Sequence, residues 1–332
     1  MKYSLGGCMR RFAVLCVTLL SILILKGIPS VRADYMQAVA FYNQHQYEKA
    51  IEELRPDLDK NPTWEFGHRL LGLCYLNLKK DALAVTSLKR AVDLKSEAFS
   101  TYLGLGQAYF NMQKYDSCIA ALNQGEPFAS KEKDPETQKA NLYRLRGSAY
   151  YRLNNFNEAV NDLTRTLRIS QSNWSDFAIL GSSYFNLGRI DEAIEALEKA
   201  NTMKPDQTST MELLGEAYLK KGIDALSKKQ FAAALQQLQK AAGYDSKNGY
   251  IHYNLGETYI FEKKYQDAEK ALNRAAALMP ENPDVYGRLG LVYEKLKKLD
   301  SALDAYKKAE SIKPSSSYKE AIKRVSQNKK LQ

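Results

Sequence analysis

A four-residue pattern recurs along this chain with a step of 34 residues. Gly72-Leu73-Cys74-Tyr75 is followed by Gly106-Gln107-Ala108-Tyr109, and Gly147-Ser148-Ala149-Tyr150 by Gly181-Ser182-Ser183-Tyr184. Gly215-Glu216-Ala217-Tyr218 comes next, then Gly256-Glu257-Thr258-Tyr259 and Gly290-Leu291-Val292-Tyr293, with Ala38-Val39-Ala40-Phe41 as a variant first copy. A fixed period of this length means that each unit buries its apolar face only against its neighbours, so a 332-residue chain need not build one large core.

Further anchors keep the same register. An alanine or cysteine follows the small residue by twelve positions, or by nineteen in the sixth copy: Ala50, Ala84, Cys118, Ala159, Ala193, Ala234, Ala268 and Ala302. Four residues later stand Leu54, Leu88, Leu122, Leu163, Leu197, Leu238, Leu272 and Tyr306, and Pro62, Pro205, Pro280 and Pro314 close four copies. Apolar residues at helical spacing in two segments per copy, joined by short polar links, predict a helix hairpin. Glycine inside a helix costs about 1 kcal/mol relative to alanine. Its return at one slot therefore predicts a close approach of the paired helices, with the alanine twelve residues on as the facing residue.

This Gly–Tyr–Ala–Pro pattern resembles the tetratricopeptide-repeat family over residues 31–316, in eight copies beginning near Val31, Glu65, Phe99, Ala140, Trp174, Thr208, Gly249 and Pro283. The expected fold is all-α: a right-handed superhelical solenoid of helix hairpins, residues 34–316, with a capping helix and basic tail at 317–332. Two seven-residue insertions interrupt the period, near 126–138 and 221–230. Asp134-Pro135-Glu136 reads as an N-cap, first-turn proline and acid, so the fourth copy's first helix should start early. Ser317-Tyr318-Lys319-Glu320 reads as a capping box, and Ala321, Ile322 and Val325 as the apolar stripe of the cap.

Residues 1–33 read as an export signal. Arg10 and Arg11 precede the apolar run Phe12–Leu25, which Lys26, Gly27 and Pro29 end, and Val31-Arg32-Ala33 offers a cleavage site before Asp34. The run is shorter than the roughly 20 residues of a membrane span, so cleavage is expected and export to a periplasm or cell envelope follows. Uncleaved, the leader would anchor the chain to a membrane.

The net charge of +10 resides mostly at the ends. Lys2, Arg10, Arg11, Lys26 and Arg32 lie in the leader, and 317–332 carries a net four, leaving the repeats close to neutral. Such a body offers no electrostatic footprint for nucleic acid. Four scattered cysteines and three distant histidines show no metal-ligand spacing, and no nucleophile–base arrangement or phosphate loop stands out. No metal, cofactor or catalytic residue is expected, and a pairing of Cys74 with Cys118 stays open.

The resemblance implies that first helices line a concave groove for a partner protein or extended peptide. Carried over copy by copy, its apolar and aromatic candidates are Tyr42, Leu73, Leu76, Phe110, Tyr151, Phe185 and Ile260. Asn43, Asn77, Asn111 and Asn186 repeat at one slot, where they either hold a peptide backbone or simply suit a helix end. Arg69, Gln107, Arg144 and Arg152 in early copies give way to Glu212, Glu216 and Glu257 in later ones, a change of sign that would orient a partner. Asn254 and Arg288 match two slots of the family's carboxylate-clamping members, but Glu212 and Glu216 would repel a carboxylate, so that role is not expected. Asn173-Trp174-Ser175 has the form of a glycosylation sequon.

Overall fold

The computed structural model of the protein describes residues 31–170 and 173–330. Every regular element among the described residues is an α-helix, and the chain divides into two compact units, residues 1–132 and 133–332. In the first, α1 (Val31–Asn43) pairs with α2 (Tyr47–Lys60), α3 (Glu65–Asn77) with α4 (Asp81–Asp93), and α5 (Phe99–Asn111) with α6 (Tyr115–Ala129). In the second the pairs are α7 (Pro135–Arg152) with α8 (Phe156–Ile169), α9 (Trp174–Asn186) with α10 (Ile190–Met203), and α11 (Thr208–Ser227) with α12 (Phe231–Tyr244). Then follow α13 (Gly249–Phe261) with α14 (Tyr265–Leu278), α15 (Pro283–Lys295) with α16 (Leu299–Ile312), and a terminal α17 (Ser316–Lys330).

Each pair is joined by three residues, and the chemistry of the link is the same throughout. Its middle residue is left-handed: His45, Lys79, Gln113, Asn154, Gly188, Lys229, Lys263 and Lys297, with φ between 57° and 75°. The next residue's N–H donates to the carbonyl five positions back, as Lys80 to Tyr75 and Arg189 to Tyr184, both at 2.9 Å. That bond satisfies a carbonyl otherwise orphaned at the helix end. The carbonyl of that same residue accepts the first bond of the second helix, Ala84 N–H to Lys80 and Ala193 N–H to Arg189, both at 3.0 Å. One residue thus ends one helix and begins the next, which holds the pair antiparallel.

The glycine slot marks a close approach, but the facing residue is not the expected alanine. It is the leucine or tyrosine sixteen positions on. A β-carbon built on Gly72 would stand 2.5 Å from Leu88 Cγ, one on Gly106 2.8 Å from Leu122, and one on Gly256 2.5 Å from Leu272. Leu88, Leu122 and Leu272 are fully buried. The alanine twelve residues on contributes backbone instead: Ala193 O lies 3.1 Å from the position of a Gly181 β-carbon. Alanine is small there because its own helix must come close; the leucine fills the space that glycine leaves.

The sixth copy also departs from its expected register. Gly222, rather than Gly215, faces Leu238, at 2.7 Å, while Gly215 lies against Asp245. Measured from Gly222 the anchors fall where they do elsewhere, with Lys229 left-handed and Gln230 N–H on Ala225 O. α11 is 20 residues long where most first helices have 13, so it holds two glycine slots one heptad apart. The early start of α7 is as expected: Pro135 is its first residue, and the Asp134 carboxylate accepts the N–H of Thr137 at 3.3 Å.

α17 packs Ala321 and Val325, both buried, on α16, with Tyr318 and Ile322 beside them. The capping box does not form, because the helix already starts at Ser316 and Ser317 lies inside it. The N–H of Ser315 instead donates to the Glu310 carboxylate of α16 at 2.8 Å. The tail's basic residues are partly engaged: Arg324 pairs with Glu294 at 2.6 Å, Lys319 with Glu310 at 3.7 Å, and Lys329 with Asp300.

Candidate functional site

Within each unit the first helices touch one another from copy to copy, whereas the second helices approach their counterparts less closely. Each unit therefore curves toward its first-helix side, and the solvent face of those helices is the inner face where a ligand would find several helices at once.

In the first unit this face is largely engaged internally. Arg69 lies 3.5 Å from Glu65, its guanidinium stands over the Phe66 ring at 4.6 Å, and it donates to Ser100 at 3.4 Å. Gln107 donates to Asn111, and Asn111 to Asp81, both at 2.8 Å. The Asn77 amide donates to Leu73 O at 2.8 Å, one turn back in its own helix. Asn186 of the second unit does the same to Ser182 O. These amides complete helix ends, and Asn43 is exposed at the same slot. Leu73 and Leu76 are half-buried against the core.

The aromatic row packs across hairpin tips. Tyr42 meets Tyr47 with ring centroids 5.6 Å apart, Phe110 meets Tyr115 at 5.4 Å, and Tyr151 meets Phe156 at 5.9 Å. Each partner is the first residue of the following helix, five positions on. Burial pushes the Tyr42 phenol up, with Asn77 hydrogen-bonded to it. Phe185 lies beneath the Lys220 ammonium, 4.0 Å from its ring centroid. Ile260 is half-buried against the core of its own and the next copy.

The charges divide into structural and free. Arg144 donates from Nε to both oxygens of Asp176 at 3.0 Å, and also to Asn141 and Ser170. It is not the solvated cation that its slot suggests, because Asp176 is almost fully buried and caps α9 with Asn173. Asn173 itself is that N-cap, hydrogen-bonded to the N–H of Asp176. Glu257 is likewise buried, and Arg288 lies 2.9 Å from it. Burial raises the Glu257 carboxyl above its usual range, while Arg288 pulls it back down. A further pair, Arg146 with Asp162 at 2.7 Å, sits inside the α7–α8 hairpin. Arg152, Glu212 and Glu216 are exposed, so a sign change along the second unit persists in these three.

Sequence reading missed the largest exposed side chains of this face. Tyr250 is 59% exposed, Phe261 55% and Ile223 42%. They do not occupy the slot four residues after the glycine; they lie six before it, five after it and one after it. A wheel drawn for α13 would have found them, since residues 250, 254, 257 and 261 fall on one stripe away from Gly256. Cys74 and Cys118 are free and buried, and burial pushes both thiols up to about 12. Among the described residues no group of three or more His, Cys, Asp or Glu side chains is placed to hold a metal ion. No helix there is long and apolar enough to cross a membrane. The leader, residues 1–30, lies outside the described residues.

Solved structures share the architecture. The C-terminal part of a repeat-containing protein from Cytophaga hutchinsonii aligns over 87% of this chain and 99% of its own, at 15% identity and a TM-score of 0.47. YrrB, described as a tetratricopeptide-repeat protein with an unusual peptide-binding site, aligns over 64% and 97%, at 18% identity and a TM-score of 0.44. A chain of the APC/C hetero-tetramer Cut9–Hcn1 aligns over 98% of this chain, at 18% identity and a TM-score of 0.35, and this chain spans 60% of its length. Family models for the tetratricopeptide repeat match residues 35–99, 97–172, 177–207, 225–277 and 283–316. With these matches running along nearly all of the eight hairpins, the chain belongs to the tetratricopeptide-repeat family.

Proposed function

We propose that this protein is a non-catalytic interaction scaffold that holds an extended segment of a partner protein on the inner face of its second unit. One observation carries the reading. On that face Ile223, Tyr250 and Phe261 keep large apolar surfaces in water, although nearly every other large apolar side chain of the first helices is packed. Exposed apolar groups gathered on one face cost solubility and are commonly interaction sites. Phe231 stacks on Phe261 at 5.2 Å, which stiffens the ring for contact.

The leader adds a place. Arg10-Arg11, the apolar run Phe12–Leu25 and the small residue Ala33 support export to a cell envelope, with removal of the first 33 residues. The scaffold would then meet its partner outside the cytoplasm. A leader that stays attached would make it a membrane-tethered assembly factor instead.

Photocrosslinking tests the interaction face. A benzophenone side chain at 250 or 261 should capture a polypeptide in cells. The same group at Gln239, exposed on the second helix α12, should not. Equal capture from all three positions, or none from 250 and 261, refutes the inner face as the working surface.

A further inference from the structure

We propose that the inner face of α11, α13 and α15 selects a partner segment that is apolar and cationic, with Lys or Arg set between or beside apolar side chains. This rests on the interaction reading above and adds the chemistry of the occupant.

The apolar part is the stripe along α13. Tyr250 and Phe261, eleven residues apart, are both more than half exposed and lie about 16 Å apart along the helix axis at 1.5 Å per residue. An extended chain covers that distance in about five residues. Two apolar side chains of a partner at that spacing could each cover one ring, with Ile223 of the neighbouring helix alongside the second.

The rim is acidic because its cations are already engaged. Glu216, Tyr250 and Asp284 stand 34 residues apart on three adjacent first helices, all exposed, with Glu212 one turn before Glu216. Lys220, one turn after Glu216, would be its natural ion-pair partner, but its ammonium sits over Phe185 at 4.0 Å. Lys221 pairs with Asp191. Arg288, the cation of the α15 face, lies 2.9 Å from Glu257 and is held there by that buried carboxylate. What faces solvent around the Tyr250 ring is therefore negative. A lysine or arginine laid on that ring gains both the aromatic face and the carboxylates beside it. An acidic segment would be repelled by the same groups, so the rim rejects as well as attracts.

Fluorescence anisotropy with three labelled peptides tests this. All carry two leucines five residues apart in a serine background; the remaining variable positions are Lys, Gln or Glu. The Lys peptide should bind the purified protein, the Gln peptide about tenfold more weakly, and the Glu peptide weaker still. Glu216→Lys should weaken the Lys peptide about tenfold, and Tyr250→Ala severalfold. Glu158→Lys, the same charge change on the exposed side of the second helix α8, should leave it unchanged. Circular dichroism and melting curves establish that the variants are folded. No binding of the Lys peptide overturns the proposal, as does an equal loss in Glu216→Lys and Glu158→Lys, which would reveal bulk charge. Binding that is indifferent to Lys, Gln or Glu, yet lost in Tyr250→Ala, overturns the charge selection while the interaction face stands.

Discussion

A β-carbon on Gly181 would stand 2.6 Å from Cγ of Leu197, closer than unbonded carbons approach. Leu197 is 1% exposed and is enclosed by its own hairpin and the next, so it has little room to move. Gly181→Ala should therefore destabilise the second unit by about 1–3 kcal/mol through overpacking, although alanine is the better helix former. Gly243 supplies the control. It lies in α12 with nothing within 4 Å of its β-carbon position, and Gly243→Ala should stabilise by up to about 1 kcal/mol. Thermal melts of both variants decide it; two shifts of the same sign would refute the close-contact account.

Arg144 and Arg152 look alike in sequence and should behave in opposite ways. Arg144→Glu would set a second carboxylate against Asp176, whose side chain is 2% exposed, and remove a bidentate bond. Loss of one partner of such a pair costs about 2–4 kcal/mol. Arg152 is exposed, and Arg152→Glu should stay within about 0.5 kcal/mol of the parent. Urea unfolding separates the two, and a small effect at Arg144 would show that its ion pair is dispensable.

The two body cysteines should be silent in the folded protein. Burial pushes both thiols up to about 12, leaving a negligible thiolate fraction near neutrality. Ellman's reagent should react with neither until denaturant is added. The sign of the pH effect follows. With folded values above the unfolded ones, these thiols favour folding at low and neutral pH, and that contribution falls as pH climbs past the unfolded thiol value toward 12. Burial and the Glu294 carboxylate raise Tyr306 as well. The melting temperature should fall steeply above about pH 9–10, and a flat alkaline profile would contradict the buried placement.

The terminal helix should loosen in acid. Glu294 is partly buried, which opposes its charge, yet Arg324 and Tyr306 hold its carboxyl below the usual range. A depressed carboxylate contributes stability above its unfolded value, and that contribution is lost as pH falls through the folded value. Hydrogen exchange should report faster opening of α17 than of α15 below about pH 4. Glu294→Gln should remove that difference by loosening α17 at all pH values.

Most of the fold was legible in the sequence because the repeat states each rule several times. The link residues, the early start of α7 at Pro135 and the small slots all follow from local chemistry. What failed was whatever depends on the partner helix. Gly215 looks like Gly181 by spacing, but only three-dimensional packing shows that Leu238 faces Gly222. Arg144 reads as a groove cation because Asp176, 32 residues away, is invisible to helical spacing. Tyr250 and Phe261 were passed over because the family slot drew attention to the tip-packing row, whose members Tyr42, Phe110 and Tyr151 are largely occupied with their own hairpins. The leader's fate is a matter for intact mass: a chain beginning at Asp34 in the envelope fraction is the expected product, and recovery of only the full-length chain would favour the tether.

The paired glycines of α11 make helix length an independent variable in this fold. Seven residues turn an ideal helix by about 20° short of two full turns, so adding them lengthens an inner helix by about 10 Å while its outward stripe keeps its bearing. Glu212 owes its place on the acidic rim to that extension. Excising residues 215–221 should therefore yield a regular eight-hairpin protein with a shorter wall at the sixth copy. Removing four residues instead would swing the rest of the stripe by about 40° and turn Glu216 away from Tyr250. Reach and direction of the binding wall can thus be changed one without the other, a freedom that a strictly periodic array lacks.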